Sequence, residues 1–166
     1  MCCRSAEAES LIVAVAKPHD LPSELRRHVD PHGKGTPLAQ FKIYGQHDVL
    51  APRRTQMSDV IHAATVEVFG LPAGKRFHRF FPMATEDFPV PEGRTDRYTI
   101  VEVCMFEGRR VTTKKAFYQR LYRDFEAHLG IGPQDLEIVI LETPRHDWGI
   151  RGAAGDELNL GYSVDQ

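Results

Sequence analysis

Thr36-Pro37-Leu38-Ala39-Gln40-Phe41-Lys42-Ile43-Tyr44 marks the point where a polar, glycine-bearing stretch gives way to regular structure. Leu38 to Tyr44 alternates in the way a half-buried strand requires, because successive side chains point to opposite faces. Pro37 can open such a strand but cannot donate to its ladder. A helix is expected from about Pro52, a residue suited to a first helical turn. Met57, Val60, Ile61, Ala64, Thr65 and Val68 then recur at helical spacing. Gly70, followed by Leu71-Pro72, reads as the helix stop. Arg76 to Phe81 resumes as a strand that ends at Pro82.

The same order returns further on. A loop punctuated by Pro89, Pro91 and Gly93 leads to Tyr98-Thr99-Ile100-Val101-Glu102-Val103-Cys104-Met105-Phe106, rich in strand formers. Gly108 turns the chain, and Thr112 or Thr113 is the expected cap of a second helix. Phe117, Leu121, Phe125 and His128/Leu129 form its apolar stripe, Gly130 stops it, and Leu136 to Leu141 is a fourth strand. Two β-α-β units give an α+β, two-layer fold: a four-stranded sheet with two helices on one face. Each unit pairs its strands in parallel through a right-handed crossover. The sheet's other face needs cover, which predicts association of copies through it.

Composition narrows the function classes. The 166 residues suffice for one domain with an appendage, and 42% hydrophobic with 27% charged content is ordinary for a globular chain. A net charge of −2 gives no general attraction to nucleic acid. The basic pairs Arg53-Arg54, Arg109-Arg110 and Lys114-Lys115, and the group Lys75, Arg76 and Arg79, read mostly as solvated faces, with Arg109 the exception. Three cysteines, Cys2, Cys3 and Cys104, do not make a disulfide framework, so a cytoplasmic setting is expected. Leu11 to Ala16 is too short to span a bilayer and lacks signal-peptide flanks, so no membrane partner is expected. His28 and His32 stand four apart, but Pro31 breaks the helix that would align them, and no metal or other cofactor is expected. Gly33-Lys34-Gly35-Thr36 follows no strand and lacks the rest of a phosphate loop. The domain is expected over 37–152. Residues 153–166 read as a tail, and 1–36 as a flexible arm, an added edge strand, or a stretch upstream of the true start.

Four stretches together resemble the tautomerase superfamily, in particular its fused-repeat branch that includes malonate semialdehyde decarboxylase. They are Pro37 to Phe41; Met57 to Ala64 with Phe69-Gly70-Leu71-Pro72; Arg94 to Arg97 with Gly108-Arg109 and Lys114 to Tyr118; and Gly132 to Leu136 with Asp147-Trp148-Gly149. The resemblance runs from Pro37 to Gly152 and implies a homotrimer whose sheets face inward. It implies an isomerase that uses an amino-terminal proline as general base and acid on a small 2-oxo or enol carboxylate. Pro37 takes that role by match, Arg109 binds the substrate carboxylate, and Arg110, Lys75 and Trp148 are further substrate-binding candidates.

Two departures shift the expected chemistry. Lys75 stands where the decarboxylase branch has an aspartate, and Glu107 stands where it has a second arginine. A more cationic pocket favours an anionic substrate and lowers the proton affinity of a buried amine. Tautomerisation is therefore expected over decarboxylation or hydration. A proline nitrogen inside a peptide bond is an amide with no basic lone pair, so the chemistry requires Pro37 to be free. The alternative is a catalytically silent trimer of the same fold that binds a small anion or serves as an interaction protein.

Overall fold

The computed structural model describes residues 39–157; residues 1–38, Pro37 among them, and residues 158–166 lie outside the described residues. Strand β1 (Ala39–Gln46) alternates buried and half-buried positions along its whole length. It passes straight into helix α1 (His47–Phe69), after which come β2 (His78–Met83), β3 (Thr99–Phe106), α2 (Val111–Leu129) and β4 (Leu136–Thr143). A short hairpin of β5 (Gly149–Ile150) and β6 (Ala153–Ala154) completes the described chain. The sheet order is β2-β1-β3-β4. β1 pairs with β2 and β3 with β4 in parallel, while β1 and β3 run antiparallel and join the two units.

This is the expected pair of β-α-β units, and the two helix ends repeat each other closely. Gly70 ends α1 at φ 64, ψ 25, and Gly130 ends α2 at φ 64, ψ 28. Both are in the left-handed region, where a side chain is strained and glycine is not. The helices lie on one face of the sheet. Phe41, Ile43, Val101, Val103 and Met105 from the strands meet Leu50, Met57 and Ile61 of α1 and Phe117, Leu121 and Phe125 of α2, all essentially inaccessible to water. Burying a side chain of this size stabilises the fold by roughly 2–3 kcal/mol. Phe69 and Phe117 stack at 4.4 Å and tie the two helices together.

Three local expectations are corrected. Helix α1 starts at His47, before Pro52, which lies inside it. Gly45 explains the early start: a side chain there would come within 3.2 Å of Leu50 and of the Tyr98 carbonyl. Its absence lets Leu50 fold back beneath the strand without an intervening loop. Helix α2 starts at Val111 with Arg110 as its cap residue and no side-chain cap, so Thr112 and Thr113 are inside it. His128 is exposed; its carbonyl instead accepts a hydrogen bond from Gln56 Nε2 at 2.9 Å, linking α2 to α1.

The sheet's second face is open and mixed in character. Phe81, Val139 and Leu141 are 39, 44 and 44% exposed there. Beside them Tyr44 stacks on Phe81 at 4.9 Å and donates to Glu102 at 3.0 Å, and Lys42 pairs with Glu102 at 3.6 Å. No helix among the described residues is long and apolar enough to cross a membrane.

Candidate active site

Strand direction brings the candidate residues to one end of the sheet. β1 begins with Ala39 opposite Met105, near the end of β3. β2 begins beside it, with His78 opposite Phe41 and the Phe41 N–H donating to the Phe77 carbonyl at 2.8 Å. β4 ends level with β3, Thr143 beside Phe106. The starts of β1 and β2 and the ends of β3 and β4 therefore share an edge, together with the segments that enter or leave them.

Arg109 follows β3 after Gly108, whose φ of 118 turns the chain. The arginine is 8% exposed. Its Nη1 lies 3.4 Å from the Met105 sulfur, and its guanidinium lies 4.9 Å from the centre of the Phe69 ring. A thioether and a ring face seat the cation in low-dielectric surroundings, where its field acts strongly on an anion. Met105 is a core residue, so Arg109 approaches the sheet from the helix side. Arg110 caps α2 and is exposed.

Trp148 is on the other side of the same edge. Phe106 alternates with Met105 and faces away from the helices, and Trp148 packs on it edge-to-face at 5.1 Å. The indole N–H donates to Thr143 Oγ1 at 2.6 Å. Arg145 covers Phe106 at 5.9 Å and donates from both Nε and Nη2 to the Gly155 carbonyl, at 3.2 and 3.0 Å. The structure thus brings Arg109 and Trp148 to one end of the sheet but to opposite faces of it.

Lys75 lies in the turn before β2, its backbone N–H donating to the Pro72 carbonyl at 3.1 Å. Desolvation and the charge of Arg151 both push its ammonium below the ordinary lysine value. Arg151 is at the tip of the β5–β6 hairpin, at φ 54 with Gly152 at φ 83. Two successive positive φ angles make a tight two-residue turn of the primed type. The reading from sequence missed Arg151, because such turns usually carry Asn or Asp at that place. The Arg-Gly pair between two short extended segments was the available signal.

A second polar group borders this edge. Ser58 Oγ and His78 Nδ1 lie 2.8 Å apart, and His62 donates from Nε2 to the Ala73 carbonyl at 2.9 Å. Burial, and then the neighbouring His62 and Arg76, lower His78 to about 4. Burial also lowers His62. Both rings are neutral at pH 7, which suits their packing: His78 meets Phe41 edge-on at 5.0 Å.

Comparison with known proteins agrees with this architecture. Residues 75–151 match the family model described as Tautomerase enzyme, a span from the turn before β2 to the hairpin tip. Among solved structures, a malonate semialdehyde decarboxylase superposes with a TM-score of 0.61 at 22% identity, over 69% of this chain and 92% of that one. A second malonate semialdehyde decarboxylase, FG41, inhibited by 3-bromopropiolate, gives 0.62 at 24%, over 70% and 92%. A fused 4-OT in an asymmetric trimer gives 0.63 at 19%, over 70% and 96%. The fold is that of the tautomerase superfamily. Its neighbours are malonate semialdehyde decarboxylases and fused 4-OT proteins, as the motifs from Pro37 to Gly152 implied.

Proposed function

We propose that the chain is a tautomerase-type isomerase acting on a small 2-oxo or enol carboxylate, with Pro37 as general base and acid when it is the first residue of the working protein. The observation that carries the reading is Arg109: a buried guanidinium on an apolar seat, at the edge of the sheet where β1 starts. In the reaction the free secondary amine of Pro37 takes a proton from the substrate, and the resulting ammonium returns it to another atom of the delocalised system, so the proton count balances. Arg109 holds the carboxylate by paired hydrogen bonds and stabilises the enolate charge that develops. The positive charges of Lys75, Arg109 and Arg110 keep the proline's proton affinity low enough for transfer near neutrality.

Lys75 and Glu107, in place of an aspartate and an arginine, favour tautomerisation over decarboxylation or hydration. The working domain is 37–152, in a cytoplasmic setting, as a homotrimer closed through the open sheet face. Exposed Phe81, Val139 and Leu141 support that assembly, and fused 4-OT neighbours are trimers by description. One of the decarboxylase neighbours was studied with its first-position proline changed to alanine, which supports looking at Pro37 first.

The test begins with amino-terminal sequencing and intact mass of the protein from its native source. Protein prepared to begin at Pro37 is then compared, in phenylpyruvate and 2-hydroxydienoate tautomerase assays, with the 166-residue chain and with Pro37→Ala. Activity at least about a hundredfold above both controls is expected, because only the first form has a basic nitrogen. Equal activity in the three refutes the base assignment, and no activity in any of them leaves the silent, anion-binding trimer.

A further inference from the structure

Glu142, the penultimate residue of β4, has a carboxylate oxygen that the fold does not account for. Its register partner is Met105, so its side chain shares Met105's helix-facing side. Lys114, in the first turns of α2, donates to Oε2 at 2.7 Å, with the two side chains 21 and 23% exposed. Oε1 is shielded from water and finds no donor among the described residues. Shielded polar atoms without a partner are few in folded proteins and call for an explanation. The location supplies one. Ala39, Met105 and Glu142 form one row across β1, β3 and β4, and the Arg109 guanidinium rests on Met105. One buried cation and one buried acceptor therefore border the same residue at the edge where β1 starts.

We propose that Glu142 Oε1 accepts a hydrogen bond from the hydroxyl of a 2-hydroxy or enol carboxylate, so that the site takes the hydroxyl-bearing form in preference to the oxo form. The role rests on the reading that Arg109 holds the substrate's carboxylate. A hydroxyl donates to a carboxylate in a short, charge-assisted bond. An oxo oxygen has no hydrogen to donate and turns its lone pairs toward the Glu142 oxygen, which is repulsive. Bonds of this kind are worth about tenfold to a hundredfold in affinity. The same preference selects against an O-methyl ether, which keeps the oxygen but loses the donor.

The experiment measures binding and needs no turnover, so the state of Pro37 does not enter it. The 166-residue chain is titrated calorimetrically with 3-phenyllactate and with 2-methoxy-3-phenylpropanoate, which share a carboxylate and a ring. The hydroxy acid should bind at least about tenfold tighter. In Glu142→Gln, Lys114 keeps the amide oxygen and the amide N–H2 turns to the ligand, so the ratio should fall to about one or invert. Arg109→Lys should weaken both ligands and leave their ratio intact. Equal affinities in the unmodified chain, an unchanged ratio in Glu142→Gln, or no binding of either ligand overturns the proposal, and the first and last of these need no variant that folds. A full ratio in a protein that shows no turnover with Pro37 free would refute the isomerase and leave the Glu142 contact standing.

Discussion

Lowering the pH should destabilise this fold through His78, and the size of the effect follows from where the ring lies. His78 opens β2 with its ring edge against Phe41 and its Nδ1 2.8 Å from Ser58 Oγ. The groups that face it are His62 and Asp59 on α1 and Arg76 on the chain entering β2. Burial dominates, and His62 and the Arg76 cation add to it, so the folded protein holds His78 at about 4 against an ordinary 6.5. Between those values the unfolded chain binds a proton that the folded chain refuses. Stability therefore rises with pH across that window, is fully present above 6.5, and is lost as pH falls toward 4. The displacement corresponds to roughly 3 kcal/mol, and solvent on the ring's exposed side brings the expected loss to about 2 kcal/mol. His62, lowered by burial as well, acts in the same direction.

Urea unfolding at pH 7.5, 6.5, 5.5 and 4.5 measures this directly, with His78→Gln as the comparison. Gln keeps a hydrogen-bonding group for Ser58 and does not titrate. The unmodified chain should lose about 2 kcal/mol more than the variant between pH 7.5 and 4.5. Parallel pH profiles for the two proteins would refute the assignment, because every other titrating group is common to both.

Asp135 is 2% exposed and accepts from both the backbone N–H and the hydroxyl of Thr95 at 2.7 Å. Asp135→Ala should lower the unfolding free energy by about 2–3 kcal/mol, read as a lower urea midpoint with an unchanged slope, since it removes both hydrogen bonds. In protein beginning at Pro37, Arg109→Lys should lower kcat/KM about a hundredfold, because an ammonium cannot reproduce the planar fork that binds a carboxylate; the circular dichroism spectrum reads whether the fold survives. Val139→Asp on the open face should convert the proposed trimer to monomers in sedimentation velocity, because a charge would be buried without a partner at each copy of the interface.

The fold was legible because its signals are local and repeat. Gly70 and Gly130 stop the helices at the expected places, and Phe117, Leu121 and Phe125 face the core at the spacing read from the chain. The beginnings of the helices were less legible because they depend on close packing. Pro52 is a good first-turn residue, yet α1 has already started, since Gly45 lets Leu50 pack under the strand. At the candidate site, Arg109 was singled out through the family resemblance, since its place after a strand and a glycine turn equally fits a surface turn residue. Its seat on Met105 and Phe69 was not legible, as these come from two separate elements, β3 and α1.

Glu142 shows why register matters more than residue type at such a site. In the chain it follows an apolar strand and reads as the polar residue that ends it. Only the pairing of β4 with β3 sets it beside Met105, and only the crossing of α2 gives one of its oxygens to Lys114. Lys75 carries the complementary lesson. By the resemblance its position marks an acid replaced by a base, and the hairpin then brings the charge of Arg151 to bear on it. The two like charges come from distant parts of the chain, and each adds to the positive potential at that edge of the sheet. On the proposed reading, an edge bordered by Arg109 that retains one shielded carboxylate oxygen suits an anion that also has a proton to donate, which describes an enol carboxylate and not its keto form.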